Sequence, residues 1–246
     1  MPGPQRVHAV DAIAACEICQ GTEFIHHLRV DHAHFTERIT KFDIQRCATC
    51  GFCRMTPPPN EDDLQKLYEE KNIFSAMREN PYQNSPLFGR LEPIYRKHGD
   101  GRRFIIQNCL KLAPGRRKTK LRVLDIGCGT GALLDAFQQV LPDCDIVGID
   151  IDPGAKANAP DHLRDRIQVG DALTTSFKAP FDIITLEMVI EHLPDPAKFL
   201  HRCHELLLPD GIVMISTPDI DSKPARDSGA DWWLINRPDV PVGHIS

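Results

Sequence analysis

Apolar and polar positions alternate with two different periods in the second half of the chain. Short apolar runs predict five strands, at 121–126, 145–150, 166–169, 181–186 and 212–217. Apolar residues at helical spacing predict a helix over 132–141 and another that begins at Asp195-Pro196. Strands that alternate with helices predict an α/β fold with a doubly wound, Rossmann-like parallel sheet.

The first half of the chain has a different pattern. Residues 1–59 hold two cysteine pairs and end in three consecutive prolines, which predicts a separate small module. Residues 60–118 predict a helical connecting or lid region, in which Asn60 caps one helix and a second helical pattern stops at Pro114-Gly115. The main α/β domain is predicted over 119–246.

Composition and charge narrow the class of protein. A chain of 246 residues with 41% hydrophobic content can form one sizeable core and one small unit. The net charge of -5 gives no bulk attraction to nucleic acid, so a nucleic-acid partner is not expected. No membrane span or signal peptide is predicted. Nine cysteines without a disulfide-like pattern predict a reducing compartment, the cytoplasm.

The paired cysteines predict a metal site. Cys16-x2-Cys19 and Cys47-x2-Cys50 are two knuckles separated by 27 residues. Four thiolates at such spacing form the closed tetrahedral site of a structural zinc ion, as in a zinc ribbon, and the metal supplies folding energy to the small module. Cys53 is either an alternative ligand or a buried thiol. The four histidines between the knuckles are interpreted as solvated loop residues: His26, His27, His32 and His34.

A glycine-rich loop follows the first predicted strand of the main domain. The run V-L-D-I-G-C-G-T-G at 123–131 holds three glycines, which let the backbone turn sharply and approach a ligand. Gly127 and Gly129, with Ala132, also fit a dinucleotide fingerprint, so the loop alone leaves the cofactor open.

Two carboxylates near this loop point to the cofactor. Asp125 would oppose a pyrophosphate, whereas it suits the cationic amino group and sulfonium of S-adenosylmethionine. Asp150 ends the second strand and can accept the ribose hydroxyls of either cofactor. Asp125 is therefore the residue that favours S-adenosylmethionine over a nicotinamide cofactor.

Several motifs then resemble those of class I S-adenosylmethionine-dependent methyltransferases, in order and spacing, over 121–218. They are V-L-D-I-G-C-G-T-G, V-G-I-D-I-D-P, V-G-D-A-L, F-D-I-I-T-L-E-M-V-I-E-H-L-P-D-P and L-L-L-P-D-G-I-V-M-I-S-T-P. The resemblance is closest to the branch that includes ubiquinone-pathway O-methyltransferases and many small-molecule methyltransferases. It implies that Asp150 binds the ribose and that Asp171 and the Ala172 amide meet the adenine. The implied cofactor-binding residues are Asp125, Gly127, Cys128, Gly129, Gly131, Asp150, Ile151, Asp171, Ala172 and Glu187.

Glu191-His192 follows the fourth predicted strand, at the edge where ligands of such sheets bind. The histidine titrates near neutral pH and suits removal of a proton from a hydroxyl nucleophile. A structural role for His192, bonding the next loop, is the alternative. Some members of the branch use a glutamate three residues before this pair in a metal site, where this chain has Met188, so an active-site metal is not expected.

The end of the chain departs from the family pattern. The family core continues with two more strands, but only 29 residues follow Thr217 and they carry few strand signals. Trp232 and Gly243-His244 resemble a segment that precedes the sixth strand, so the C-terminal strands are predicted to be missing. The favoured function is methyl transfer to an oxygen, nitrogen or carbon of a small molecule. The alternatives are a non-catalytic S-adenosylmethionine-binding or scaffold protein and, opposed by Asp125, a nicotinamide-dependent oxidoreductase.

Overall fold

The computed structural model describes residues 15–31, 39–60, 62–63, 101–112, 120–232, 234–235 and 243–244. By its internal contacts the chain divides into two compact units. We call the first the ribbon unit; it comprises Met1–Lys71, Met188–Leu200 and Ser216–Ser246. We call the second the sheet unit; it comprises Asn72–Glu187 and His201–Ile215.

The elements are numbered in chain order over the described residues. The strands are β1 (Phe24–Val30), β2 (Phe42–Cys47), β3 (Cys53–Thr56), β4 (Arg122–Ile126), β5 (Asp145–Asp150), β6 (Ile167–Val169), β7 (Phe181–Glu187), β8 (Leu207–Ser216) and β9 (Gly243–His244). The α-helices are α1 (Gly101–Leu112), α2 (Ala132–Val140), α3 (Pro153–Ala157), α4 (Asp161–Arg164), α5 (Pro196–Leu206) and α6 (Lys223–Ser228). Short 3₁₀ segments cover Ile190–His192 and Gly229–Asp231.

The sheet unit is built on a five-stranded sheet in the order β6-β5-β4-β7-β8. The pairs β4–β5, β4–β7 and β5–β6 are parallel. The chain leaves the central strand β4 toward one edge and then returns to the other side, which confirms the doubly wound α/β prediction. Such a reversal next to β4 creates a crevice at the carboxyl ends of the strands, where ligands of this fold bind.

The core of the sheet unit follows from the apolar periods in the sequence. Helices α1 and α2 bury one face each on the sheet, and strand residues fill the space beneath them. Members of this core include Ile106, Val123, Leu134, Phe137, Ile146 and Ile183. The amphipathic pattern of 132–141 therefore predicted the helix and the burial of Leu133, Leu134 and Phe137 correctly, whereas Val140 at its end is 40% exposed.

The fifth strand of this sheet differs from its prediction. β8 begins at Leu207 rather than at Ile212, and α5 ends at Leu206. Pro209-Asp210-Gly211, a sequence typical of a turn, lies inside β8, where Asp210 takes a left-handed φ of 66°. A run of three leucines fits the helical and the strand period equally, so the pattern could not fix this boundary. Among the described residues, no strand joins this sheet after β8.

The ribbon unit contains a four-stranded antiparallel sheet in the order β1-β2-β3-β9. β9 comes from the end of the chain and pairs with β3, with His244 opposite Cys53. The prediction that His26 and His27 lie in a loop is wrong, because both lie in β1. His32 and His34 lie outside the described residues. The predicted domain limits at 59/60 and 118/119 stay predictions.

The connecting region is described only in part. Asn60 Oδ1 accepts a hydrogen bond from Asp63 N at 2.8 Å, and Asp63 Oδ2 accepts one from Asn60 N at 2.9 Å. This reciprocal pair is a capping box and confirms the predicted helix start. The rest of that predicted helix lies outside the described residues, whereas the second pattern is confirmed as α1. Over the residues that are described, no helix is long and apolar enough to cross a membrane.

Candidate functional site

The glycine loop between β4 and α2 takes a backbone conformation that requires glycine. Gly127, Gly129 and Gly131 have φ values of 68°, 52° and 87°, in the left-handed region. A Cβ on Gly131 would lie 3.0 Å from Leu163 Cδ1, so a side chain there would also require Leu163 to shift. The loop is tied to β5, because Gly127 N and Cys128 N both donate to Ile149 O, at 2.8 and 3.2 Å. The sequence expectation of a tight strand-to-helix loop is confirmed.

Asp150, at the end of β5, holds the same loop through its side chain. Its Oδ2 accepts a hydrogen bond from Gly129 N at 2.9 Å, and its Oδ1 accepts one from Asp152 N at 2.9 Å. Each oxygen keeps a further lone pair, so the carboxylate can still accept ligand hydroxyls. Burial raises the pKa of Asp150. The helix-capping role falls to Asp152, since its Oδ1 accepts a hydrogen bond from Gly154 N at 2.6 Å.

Asp125 is a buried carboxyl in the central strand β4, with 3% of its surface exposed. Thr185 Oγ1 lies 2.6 Å from Asp125 Oδ1, and the two residues are register partners in neighbouring strands. The pKa of Asp125 is raised to about 7, mainly by burial and also by the negative charges of Glu187 and Asp150, although the Thr185 hydrogen bond lowers it. Sequence reasoning missed Thr185, whose only signal is a polar residue within the apolar run F-D-I-I-T-L.

Three carboxyl groups therefore lie at or next to the carboxyl ends of neighbouring strands in the sheet. Asp125, Asp150 and Glu187 come from the adjacent strands β4, β5 and β7. The negative charges of Asp150 and Glu187, together with burial, oppose ionisation of Asp125, and a bound cation would relieve both effects. A pyrophosphate would add negative charge to the same place. The electrostatics of this edge favour a cationic ligand.

A second group of the residues predicted to bind the cofactor follows β5 and β6 in the chain. Asp171 Oδ1 accepts from Leu173 N at 2.8 Å, which fixes a turn after β6, and Ala172 is buried in it. Arg202, on α5, donates to Ala172 O at 3.3 Å and braces this turn. Ile151 follows β5 with 54% of its surface exposed and offers an apolar contact to a flat ring. Sequence reasoning missed Arg202, since nothing local marks it.

Glu191 and His192 lie in the 3₁₀ segment after β7, within the ribbon unit. Glu191 is 2% exposed, and its Oε2 accepts a hydrogen bond from Thr217 Oγ1 at 3.0 Å. Met188, with a left-handed φ of 56°, donates from its N to Ser216 O at 2.7 Å. The last residue of β8, Ser216, and the residue after it, Thr217, thus hold the segment that carries the Glu-His pair.

The four knuckle cysteines come together, as the sequence predicted. The sulfur atoms of Cys16, Cys19, Cys47 and Cys50 all lie within 4.8 Å of one another, and all four are free thiols. The Sγ–Sγ distances Cys16–Cys50 and Cys19–Cys47 are both 3.6 Å. With Zn–S bonds of about 2.3 Å, a regular tetrahedron has S–S edges of about 3.8 Å, so the cluster fits zinc.

The two knuckles share one backbone design. In each, the amide four residues after the first cysteine donates to that cysteine's carbonyl: Gln20 N to Cys16 O at 2.9 Å, and Gly51 N to Cys47 O at 3.0 Å. Both donors have left-handed φ, 62° and 81°. Burial raises the pKa of Cys47, but hydrogen bonds from nearby backbone amides outweigh it and bring the pKa to about 7. Cys53 does not join the cluster and is a buried thiol.

The sequence of this chain matches a known protein family. Residues 95–246, more than half of the chain, match a family model described as a methyltransferase domain. Ubiquinone biosynthesis O-methyltransferases from Psychrobacter arcticus and Azotobacter vinelandii are 33% and 36% identical to this chain. Each alignment covers 39% of this chain, and 40% and 44% of the two relatives. The chain therefore spans less than half the length of these curated relatives.

Solved structures also resemble part of the chain. An amino pentose methyltransferase from Micromonospora echinaspora, solved with S-adenosylmethionine bound, is 25% identical over 52% of this chain and 55% of that chain. The TM-score is 0.43, so this likeness adds nothing about function. The family of this chain is established by the match of residues 95–246, with which the strand order agrees.

Proposed function

Because this chain belongs to the methyltransferase domain family, we propose that it is an S-adenosylmethionine-dependent methyltransferase acting on a small molecule. The observation that carries the proposal is Asp125, a buried carboxyl beside the glycine loop, at an edge where two further acids repel it. The carboxylates attract a sulfonium ligand with a cationic amino group, whereas they repel the phosphates of a nicotinamide dinucleotide.

The residues of the sheet unit would hold the cofactor in three places. Asp125 would bind the cationic methionine end, and Asp150 would accept the ribose hydroxyls. The Ala172 amide and Asp171 would meet the adenine, with Ile151 against its ring. Gly127, Cys128, Gly129 and Gly131 form the loop that lets the backbone approach, and Glu187 would border the methionine end. S-adenosylmethionine supplies an electrophilic methyl on its sulfur, and the protein's task is to align it with the acceptor and exclude water.

Glu191 and His192 are the candidate acid–base residues. For a hydroxyl acceptor, the His192 imidazole would take the proton as the oxygen attacks, and Glu191 would orient or support it. The support is the chain order after β7 and the fixed, buried carboxylate of Glu191. The relatives are named as O-methyltransferases, so small molecules with hydroxyl groups are the first acceptors to test.

The cysteine cluster is proposed to bind one structural Zn²⁺. Four sulfur ligands close the coordination shell and leave no position for water, which excludes this site from hydrolytic chemistry. All nine cysteines are free, which supports a reducing, cytoplasmic location.

A radiolabel-transfer screen tests the proposal. Purified protein with methyl-labelled S-adenosylmethionine is offered small-molecule acceptors of hydroxyl, amine and carbon-acid type. Asp125→Ala removes the buried carboxyl, and Asp135→Ala, an exposed aspartate on α2, is the matched control. Wild type and the Asp135 variant should transfer label while the Asp125 variant does not. If the wild type transfers no more label than Asp125→Ala to any acceptor class, the proposed methyltransferase activity is refuted.

A non-catalytic S-adenosylmethionine-binding or scaffold protein is the second candidate. It is favoured by the five-stranded sheet, to which the described residues add no strand after β8. This candidate predicts cofactor binding that Asp125→Ala abolishes, with no labelled product from any acceptor.

A further inference from the structure

Over its described residues, the C-terminal part of the ribbon unit shares its buried core with the N-terminal part. Residues after β8 bury Ile220, Ala225, Trp232 and Ile235 in a cluster whose other members come from the N-terminal strands and the residues before β2. The N-terminal members of that cluster are Val30, Ile39, Phe42, Ile44, Cys53 and Met55. Because four of these ten buried side chains come from the C-terminal part and six from the N-terminal part, neither part can bury its apolar surface without the other.

A polar contact joins the same two parts. Arg46, in β2, donates from Nη2 to Asp221 Oδ1 at 2.6 Å and from Nη1 to Asp221 Oδ2 at 2.9 Å. This bidentate geometry fixes the orientation of the two side chains as well as the distance between them. The hydrogen bond from Arg46 lowers the pKa of Asp221, so the carboxylate is ionised at neutral pH. Arg46 directly precedes Cys47, one of the four clustered cysteines.

The segment that Arg46 holds also holds Glu191. Thr217 lies four residues before Asp221 and donates to Glu191 Oε2 at 3.0 Å, and Ser216 O accepts from Met188 N at 2.7 Å. A continuous set of contacts therefore runs from the cysteine cluster through β2 and Asp221 to Glu191. All of it lies within the ribbon unit.

We propose that metal bound at the four cysteines positions Glu191, with Arg46 and Thr217 as the positioning residues. The metal fixes the end of β2, Arg46 then docks residues 216–235, and Thr217 in that segment sets the Glu191 carboxylate. Residues 216–235 share a core with a small module whose folding energy comes from bound metal. The stability of this segment therefore also depends on the metal. The importance of Glu191 for activity rests on the proposed function; the structural coupling does not.

Metal removal from the intact protein tests the coupling without any methyl acceptor. Hydrogen exchange is followed by mass spectrometry before and after treatment with a zinc chelator. We expect amides in 188–192 and 216–232 to lose protection, with 121–187 as the internal reference. The chain's two tryptophans are adjacent, Trp232 and Trp233, so tryptophan emission reports on this segment and should shift to the red. Unchanged protection in 216–232, or equal loss in 121–187, would overturn the proposal.

Single substitutions test the contacts with metal still bound. Arg46→Met should speed exchange in 216–232 by about tenfold or more, because it removes one partner of a partly buried ion pair. Arg29→Met is the matched control, since Arg29 makes exposed ion pairs with Asp31 and Asp43 in the same unit. Equal behaviour of the two variants would contradict a docking role for Arg46.

Thr217 and cofactor binding complete the design. Thr217→Val should speed exchange in 188–192, and Thr217→Ser should restore the wild-type rate; a Val variant with wild-type exchange would remove Thr217 from the proposal. S-adenosylhomocysteine binding is measured on the same wild-type sample. Failure to bind would refute the proposed function while leaving the coupling standing, and binding with unchanged protection after chelation would do the reverse.

Discussion

The ionisation of Asp125 makes a quantitative prediction about pH. Burial raises the pKa of this carboxyl to about 7, with Glu187 and Asp150 adding to the shift. Only the ionised form attracts the cationic methionine end of the cofactor, whose sulfonium stays positively charged at every pH. Lowering the pH through 7 therefore protonates the ligand-free site and should weaken cofactor binding.

The size of the effect follows from the fraction of protein in the competent form. The apparent dissociation constant is the intrinsic value divided by that fraction. With a pKa of about 7, the constant should be raised about 11-fold at pH 6 and about 1.1-fold at pH 8. Affinity should thus fall by about tenfold between about pH 8 and about pH 6, with the steepest change below the pKa.

Equilibrium dialysis of labelled S-adenosylmethionine over this pH range measures the change directly. Asp125→Asn keeps the shape of the side chain and removes its ionisation, so this variant should bind weakly at every pH and show a flat profile. A wild-type affinity that stays constant from about pH 8 to about pH 6 would refute the assignment of Asp125 as the cation-binding group, given its raised pKa.

Four further predictions concern the two units. Thr185→Val removes the hydrogen bond that lowers the pKa of the buried carboxyl, so the midpoint of the binding profile should move to higher pH in the same dialysis assay. Because that carboxyl has a folded-state pKa above its unfolded value, the ligand-free wild type should lose stability relative to Asp125→Asn as the pH rises from about 4 to about 7, by on the order of 4 kcal/mol, in chemical denaturation; a difference between the two proteins that stays constant over this range would contradict it. Gly131→Ala should cost about 1–3 kcal/mol in the same assay, because of its left-handed φ and close packing, whereas Gly101→Ala should not, since a Cβ there meets no atom within 4 Å. Cys50→Ser should abolish stoichiometric zinc in elemental analysis, and Cys53→Ala should retain it; zinc retained by the first variant would disprove the four-sulfur site.

The sequence predicted the local features well because their signals are local. The glycine loop, its Asp125 and the Asp195-Pro196 helix start each lie within a few consecutive residues, and each is found where it was expected. The cysteine knuckles were equally clear, since C-x2-C spacing reports a geometry that a four-sulfur site needs.

Contacts between distant parts of the chain were not predictable in this way. The Thr185–Asp125 hydrogen bond joins residues 60 positions apart and depends on strand register. The Arg46–Asp221 pair spans 175 positions, and no period in the sequence connects its two ends. The residues after β8 were assigned to the main domain by chain order, whereas their apolar side chains share a core with the N-terminal strands. Such pairings are set by tertiary packing and leave no trace in a periodic pattern.

The assignment of the glycine loop and Asp125 to a methyl-donor site is best tested by isothermal titration with S-adenosylhomocysteine, with NADH as the comparison ligand. We expect micromolar binding of S-adenosylhomocysteine near pH 8, its loss in Asp125→Ala, and no heat from NADH. A folded protein that binds NADH, or that fails to bind S-adenosylhomocysteine, would contradict this assignment.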